Sequence, residues 1–301
     1  MVIENKNSIY ITGSSGFVGK NLIKYFENIY NFSKYEKGTY ISINQDIVIH
    51  LAGKAHDLKN VSDPSEYYSV NTELTKAFFD KFLESNASVF ITLSSVKAAA
   101  DVLNDELTEE YIANPNTHYG KSKLLSEQYI LSKKIPENKR VYILRPCMIH
   151  GPGNKGNLNL LFKLVKKGIP WPLGNFDNQR SFCSIDNLIF VINELINNKK
   201  ISSGLYNIAD DETLSTNQII KLIAQSTKTK VLILNIPKYL VKYLSLLGDV
   251  FKLPINTERL NKLTESYIVS NKKIKAAINK PFPVNSKNGL LKTFNSFNNV
   301  K

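Results

Sequence analysis

The stretch SIYITGSSGFVGKNL, residues 8–22, constrains the chain more than any other. An apolar run without polar alternation suits a strand covered on both faces, and here it passes straight into a helical period through Gly13, Gly16 and Gly19. Glycine permits the tight turn, lets main-chain N–H groups approach a pyrophosphate and lets the helix lie against the strand. The helix N-terminus adds partial positive charge. Ser15, Phe17 and Val18 complete this candidate cofactor-binding turn. Three glycines alone also fit a structural turn; the strand before them and the helix after them point to a dinucleotide.

Three further apolar runs repeat the first: DIVIHLAG (46–53), SVFITL (88–93) and RVYILR (140–145). Helical periods lie between them, the clearest at 64–85, opened by Pro64 and carrying Val70, Leu74, Ala77 and Phe78 on one face. Alternation of this kind predicts an α/β chain with a Rossmann-type doubly wound parallel sheet, whose ligand lies outside the carboxyl ends of the strands. Past about residue 154 the rhythm loosens into PWPLGN, a helix near 186–197, the strand LYNIA and a helix after Ser215. That part reads as a smaller C-terminal substrate-binding domain. The expected boundaries are 1–165 plus about 186–208 for the dinucleotide domain, and 166–185 plus 209–301 for the substrate cap.

Composition narrows the partners. The 39 Lys and Arg against 26 Asp and Glu give a net charge of +13, which suits a phosphate-bearing ligand. The lysines are scattered, so nucleic acid is not an expected partner. Cys147 and Cys183 stand far apart without CxxC spacing, and neither a disulfide framework nor a metal site is expected. The first residues lack an apolar export region, and no run reaches about 18 uncharged apolar residues. The expected setting is the cytoplasm, with no integral membrane segment.

In HYGKSK (118–123), Tyr119 and Lys123 stand one helical turn apart. A phenol working as acid or base on a sugar oxygen is aided by an ammonium that stabilises its phenolate. Tyr30 with Lys34 and Tyr129 with Lys133 have the same spacing. Tyr30 falls at the far end of the first helix, and Tyr129 lies roughly 15 Å further along its helix than Tyr119. Only Tyr119 can begin a helix at the ligand edge and face Ser94 and Ser95.

Taken together, TGSSGFVG, HLAG (50–53), Asn71, LSS (93–95), YGKSK, LRP (144–146) and RSFCSIDNL (180–188) resemble the extended short-chain dehydrogenase/reductases, in their branch of nucleotide-sugar epimerases, dehydratases and reductases. The resemblance implies NAD or NADP as cofactor and a nucleotide sugar as substrate. It implies Ser95, Tyr119 and Lys123 as the catalytic set, with Lys123 also on the nicotinamide ribose. Leu51, Ala52, Gly53, Asn71, Ser94 and Pro146 would line the cofactor. Lys97, Asn157, Arg180 and Arg259 would face the substrate, the two arginines countering its diphosphate. Asn71 could instead bridge backbone groups, Ser94 be structural, and Arg180 form a surface ion pair. His150, where a tyrosine is customary, could be a contact or a core residue. A homodimer formed through a bundle that includes 118–133 is also implied.

Two departures refine the reaction. The 4,6-dehydratases of the family carry Asp-Glu after the catalytic hydroxyl, an acid for the leaving oxygen and a base for the C5 proton; here Val96 and Lys97 stand there. Hydride exchange at C4 remains, as 4-keto reduction or 4-epimerisation. Gly19 and His50 are only 31 residues apart, whereas a full helix, strand, helix and strand would need roughly 45. One crossover is therefore abridged, on the side that would cover the adenosine. Weaker retention suits a reductase, which must exchange its cofactor each turnover, and Lys34 and Glu36 would pull the 2′ preference in opposite directions.

The loop SSVKAAAD and the run GPGNKGNLNLL further resemble the subgroup reducing UDP-4-keto-2-acetamido-2,6-dideoxyhexoses for surface polysaccharides. Ala98, Ala99 and Ala100 replace a customary Val-Tyr-Gly. A UDP-hexose or UDP-N-acetylhexosamine 4-epimerase, and a non-catalytic dinucleotide sensor, stand as alternatives. The segment 237–254 is amphipathic and basic, suited to a membrane surface, a subunit or closure of the cap.

Overall fold

The structure, a computed structural model, describes residues 7–54, 63–251 and 256–298. Its centre is a six-stranded sheet in the order β2-β1-β3-β4-β5-β8, every pair parallel. The strands are β1 (Ser8–Thr12), β2 (Asn31–Lys34), β3 (Ile47–His50), β4 (Val89–Leu93), β5 (Arg140–Pro146) and β8 (Gly204–Ile208). A separate parallel pair joins β6 (Met148–His150) to β7 (Phe182–Ser184). Ile9, Ile11, Val48, Ile49, Phe90, Ile91, Ile143 and Leu144 are at most 1% exposed, as strands covered on both faces require.

The two covers are distinct. On one face, α1 (Phe17–Phe26) and α6 (Ile185–Asn197) pack with Leu22, Phe26, Leu188 and Ile192. On the other, α3 (Leu74–Glu84) and α4 (His118–Leu131) bring Phe78, Phe79, Phe82 and Ile130. A third cluster gathers α5 (Asn157–Lys166), α7 (Thr216–Thr227) and α11 (Ser286–Asn298) around Phe162, Ile220 and Phe294, with Val241 of α8 (Lys238–Val250) and Leu260 of α9 (Thr257–Thr264). The helix α10 (Lys272–Ile278) returns to the first face through Ile274 and Ile278. Among the described residues no helix is long and apolar enough to cross a membrane.

After β2 the chain reaches β3 through residues 35–46 with no helix or strand, so β2 is left as the edge of the sheet. The long helix expected at 64–85 is composite: α2 (Pro64–Tyr67), capped by Asp63 Oδ1 on the Ser65 N–H at 2.9 Å, runs through a π-helical turn at Tyr68–Glu73 into α3. The buried face is Asn71, Thr75, Phe78, Phe79 and Phe82, a regular helical stripe one position on from the expected Val70, Leu74, Ala77 and Phe78; its first two positions are polar, so the apolar pattern pointed to the neighbouring stripe.

Two adjacent cations tie both layers to β5. Lys139 Nζ donates to the carbonyls of Phe82, Ser85 and Ala87 at 3.1, 2.7 and 2.7 Å, closing the C-terminus of α3. Arg140, the next residue and so directed to the opposite face, donates to Leu195 and Ile196 at 2.8 Å each, closing α6. Lys139→Met keeps the stem but leaves three carbonyls without this donor. Urea unfolding should show a loss of about 1–3 kcal/mol; an unchanged midpoint would remove Lys139 from this role.

Candidate active site

The glycine turn is built by close approach. Gly13 has φ +67°, and a Cβ there would lie 2.7 Å from the Leu51 carbonyl carbon and the Ala52 nitrogen. A Cβ on Gly19 would lie 2.3 Å from the Gly13 oxygen, so α1 can start this near β1 only without one. Gly16 donates to that oxygen at 3.0 Å and caps α1 with no side chain, leaving main-chain N–H groups of its first turn free of side-chain caps. Ser15, Phe17 and Val18 stand on this turn as expected.

From the turn a buried hydrogen-bond chain crosses the sheet. Thr12 Oγ1 accepts from the Ala52 N–H at 2.9 Å and pairs with His50 Nδ1 at 2.9 Å; His50 Nε2 pairs with Thr75 Oγ1 at 3.0 Å. Thr75 gives its own proton to the Asn71 carbonyl, so Nε2 carries the imidazole proton and Nδ1 accepts from Thr12. Burial, aided by the Lys123 charge, lowers the His50 pKa to about 3 and keeps the ring neutral. Asn71 then joins three elements. Its Oδ1 accepts from the Lys54 N–H at 2.8 Å, and its Nδ2 donates to Ser122 Oγ at 3.0 Å and to the Lys54 carbonyl at 3.1 Å. Gly53 leaves the space beside Asn71: a Cβ would come within 3.0 Å of Lys123 Nζ and 3.1 Å of Asn71 Oδ1.

Ser95, Tyr119 and Lys123 meet beside this junction. Thr117 caps α4 on the Gly120 N–H at 3.2 Å, and Asp101 holds the cap by accepting from the N–H groups of Asn116 and Thr117 at 2.7 and 3.1 Å. The only carboxylate in the SSVKAAAD loop therefore supports Tyr119 from behind. Burial pushes the Tyr119 phenol up, a hydrogen bond with Ser95 opposes this, and the nearby Tyr67 phenol adds to the rise. Lys123 is 7% exposed, donates to the Leu93 carbonyl at 2.8 Å, and is brought down to about 8 by burial, against the favourable charge of Glu127. The competing pairs are occupied elsewhere: Tyr30 donates to Asn197 at 3.3 Å and Tyr129 to Asp80 at 2.8 Å.

Ser94 donates to Glu127, which also accepts from Arg145 Nε at 2.9 Å in a buried ion pair. The Ser94 hydroxyl is thus structural, and Pro146 ends β5 buried beyond Arg145. Lys97 donates to the Asp101 carbonyl at 2.6 Å and lies 4.3 Å from the centre of the Tyr267 ring. Burial lowers its pKa, and Asp101 acts against that. Arg180 pairs in backbone with Tyr267, donates to the Lys262 carbonyl and is close enough to Lys97 for their charges to interact. Asn157 and Arg259 open α5 and α9 as exposed residues. His150 is a core residue, wholly buried with Nδ1 2.9 Å from Thr293. Sequence reasoning missed Tyr267, whose hydroxyl donates to Ala100 O at 2.7 Å, and the Glu127–Arg145 pair. Glu127, eight positions after Tyr119 on the same helix, was the available signal.

The signature of the NAD dependent epimerase/dehydratase family matches residues 9–209. The chain belongs to that family. It is 30% identical to the UDP-glucose 4-epimerase of Vibrio cholerae over 72% of this chain and 75% of that protein. It is 28% identical to the N-acetyl-alpha-D-glucosaminyl-diphospho-ditrans,octacis-undecaprenol 4-epimerase of Escherichia coli O157:H7, over 77% and 76%. It is 25% identical to the GDP-6-deoxy-D-mannose reductase of Pseudomonas aeruginosa, over 76% and 83%. The solved structure of RMD from P. aeruginosa complexed with NADPH superposes with a TM-score of 0.71 at 21% identity, covering 96% of this chain and 98% of that one. These findings place the protein among NAD(P)-dependent nucleotide-sugar epimerases and reductases, and its cofactor is NAD or NADP.

The residues present fit that cofactor. The side-chain-free cradle at Gly13, Gly16 and Gly19 suits the pyrophosphate, and Gly53, where a Cβ would crowd Lys123 Nζ and Asn71 Oδ1, lets those two polar groups approach the strand end. Tyr119→Phe should lower turnover about 10²–10⁴-fold while dinucleotide affinity, titrated by fluorescence, stays within about twofold. Full turnover in that variant removes Tyr119 from the chemistry.

Proposed function

We propose that the protein reduces the 4-keto group of a UDP-2-acetamido-2,6-dideoxyhexose, a precursor of surface polysaccharide. The observation that carries the reading is the open adenosine side: with β2 at the sheet edge and 35–46 lacking helix and strand, less protein covers that end of the cofactor. Easier exchange suits an enzyme that consumes a reduced cofactor each cycle. A 4-epimerase of a UDP-hexose or UDP-N-acetylhexosamine is the second reading, favoured by the two epimerases at 30% and 28% identity.

The nicotinamide supplies the hydride that C4 receives. Tyr119 gives its proton to O4 as the carbonyl is reduced, Ser95 holds O4 by hydrogen bonding, and the Lys123 ammonium stabilises the phenolate until solvent reprotonates it. The raised phenol supports this direction, since a proton donor must carry its proton at neutral pH. The absence of a carboxylate at Val96 and Lys97, with Asp101 committed to the α4 cap, argues against loss of water across C5 and C6. We read Arg180, Asn157 and Arg259 as the polar contacts of the UDP portion. Leu125 and Leu131, exposed on α4, support a homodimer through α3 and α4.

We infer NADPH as the preferred form. An open groove of about 380 Å³ beside α1 and the end of β2 is lined by Ser14, Ser15, Lys20, Lys24, Glu27 and Lys34. Three cations against one carboxylate suit a ribose 2′-phosphate. Glu36 is exposed in the turn beyond β2, where its carbonyl accepts from Thr39 at 3.1 Å. Lys34→Glu should weaken NADPH binding about tenfold or more, one charge-assisted contact being worth about 1.5–3 kcal/mol, and leave NADH binding nearly unchanged. Equal losses for both cofactors would contradict a 2′-phosphate site.

Incubation with NADPH and a UDP-4-keto-6-deoxy-N-acetylhexosamine should consume one cofactor per sugar. Interconversion of UDP-N-acetylglucosamine and its 4-epimer without net consumption would establish the second reading instead. In the reductive direction, kcat/KM should be level near neutrality and fall as pH rises through about 8, where Lys123 loses the charge that stabilises the phenolate. Lys123→Arg, which keeps its charge, should retain residual activity without that fall. A fall at the same pH in this variant assigns the titration to another group.

A further inference from the structure

The helix α8 is inverted relative to an ordinary surface helix. The side it turns to the body is small and sparse: Val241, Ser245 and Gly248 are its buried residues. The opposite side carries the bulk. Tyr239, Tyr243, Leu246 and Val250 recur at i, i+4, i+7 and i+11, a single line along the helix, and are 71%, 60%, 57% and 73% exposed. Phe251, just past the helix end, is 67% exposed. Such a face lowers its free energy only when something apolar covers it.

The charges select the cover. Lys238 and Lys242, both exposed, flank the apolar line. Asp249, on the same flank, accepts from the Thr257 N–H at 3.2 Å and from its hydroxyl, so its charge is drawn toward α9. The whole chain carries +13, which attracts an anionic surface. Tyrosines near the amino end of the line, with apolar rings and polar tips, suit the depth of lipid headgroups, and the cations beside them suit lipid phosphates. Thirteen residues span about 20 Å, a length that lies in the plane of a bilayer surface rather than across it.

We propose that α8 is a peripheral docking element, seating its Tyr239–Val250 line in the interface of an anionic phospholipid bilayer while Lys238 and Lys242 engage the headgroups. The active site then works at the membrane surface. This goes beyond the reaction assigned above and does not depend on it, since binding needs neither substrate nor cofactor.

Co-sedimentation of the full chain tests it, with vesicles of phosphatidylethanolamine and phosphatidylglycerol against vesicles of phosphatidylcholine alone. The chain should pellet with the anionic vesicles and stay largely in solution with the neutral ones. Raising the salt should weaken binding without abolishing it, because only the lysine share is screened. The double variant Tyr243→Glu with Leu246→Glu replaces two exposed side chains, so its fold and cofactor binding should persist; its partition to anionic vesicles should fall about tenfold or more. Lys238→Glu with Lys242→Glu should remove the preference for phosphatidylglycerol. The proposal is overturned if the unaltered chain remains in the supernatant, or if the Tyr243 and Leu246 variant binds as well as its parent. It is equally overturned if light scattering shows a dimer that this variant alone dissolves, which would give the face to a second copy.

Discussion

The structure depends on a continuous buried hydrogen-bond chain linking the glycine turn to the helix that carries the acid. It passes from Ala52 through Thr12, neutral His50 and Thr75 to Asn71, and from Asn71 to Ser122 of α4. Each step is fixed in sense, because the Thr75 hydroxyl has one proton and spends it on the Asn71 carbonyl. A charged imidazole would break that sense, and burial is what prevents it. Strand ends that hold the cofactor and the helix that holds Tyr119 and Lys123 are thereby held in register. Asn71 and Thr75 stand four positions apart and so share the inward face of the helix.

A second buried set stands behind the first. Glu127 receives Ser94 and Arg145, and its charge opposes the depression of the Lys123 ammonium. Ser94 is fixed at the tip of β4, Arg145 near the end of β5, and Lys123 one turn before Glu127 on α4. Ser95 therefore follows a residue anchored to the same helix as Tyr119. A buried ion pair is weak evidence for stability, because desolvation offsets its attraction. It does hold geometry, and geometry is what an acid and its orienting hydroxyl require.

The sheet was legible because its strands are apolar throughout, as in SIYIT and SVFITL, and because strand, glycine turn and helix adjoin in the first motif. The Tyr-Lys spacing occurs three times in the sequence, and preferring Tyr119 rested on the position of the strand ends; Tyr30 and Tyr129 bond to Asn197 and Asp80. Other features left little trace. The strand β2 reads NFSK, half polar because an edge strand is only partly covered, and no apolar run announced it. The buried face of the 64–84 helix begins with the polar Asn71 and Thr75, so hydrophobicity alone pointed to the stripe beside it. The role of Asp101 as a prop for α4 lies in a contact across 15 positions, and Tyr267 reaches Ala100 across 167, distances that no local pattern encodes.

That last contact changes how the loop after the serines should be understood. Ala98, Ala99 and Ala100 are almost wholly buried, and small side chains in a packed interior leave room that a neighbour must fill. Tyr267 fills it from the cap: its hydroxyl donates to the carbonyls of Val96 and Ala100 at 3.2 and 2.7 Å, and its ring lies under Lys97. The same segment pairs with Arg180 and gives its carbonyl to the Ser181 N–H at 2.9 Å. The Val96–Ala100 loop thus takes a phenol from a distant segment of the chain, and the two share one packed surface. Any displacement of the cap would carry Lys97 and the Val96–Ala100 backbone with it, and these follow Ser95 directly. The position of Ser95 is thus coupled to the same segment that pairs with Arg180, which would tie the two ends of the site proposed above to each other.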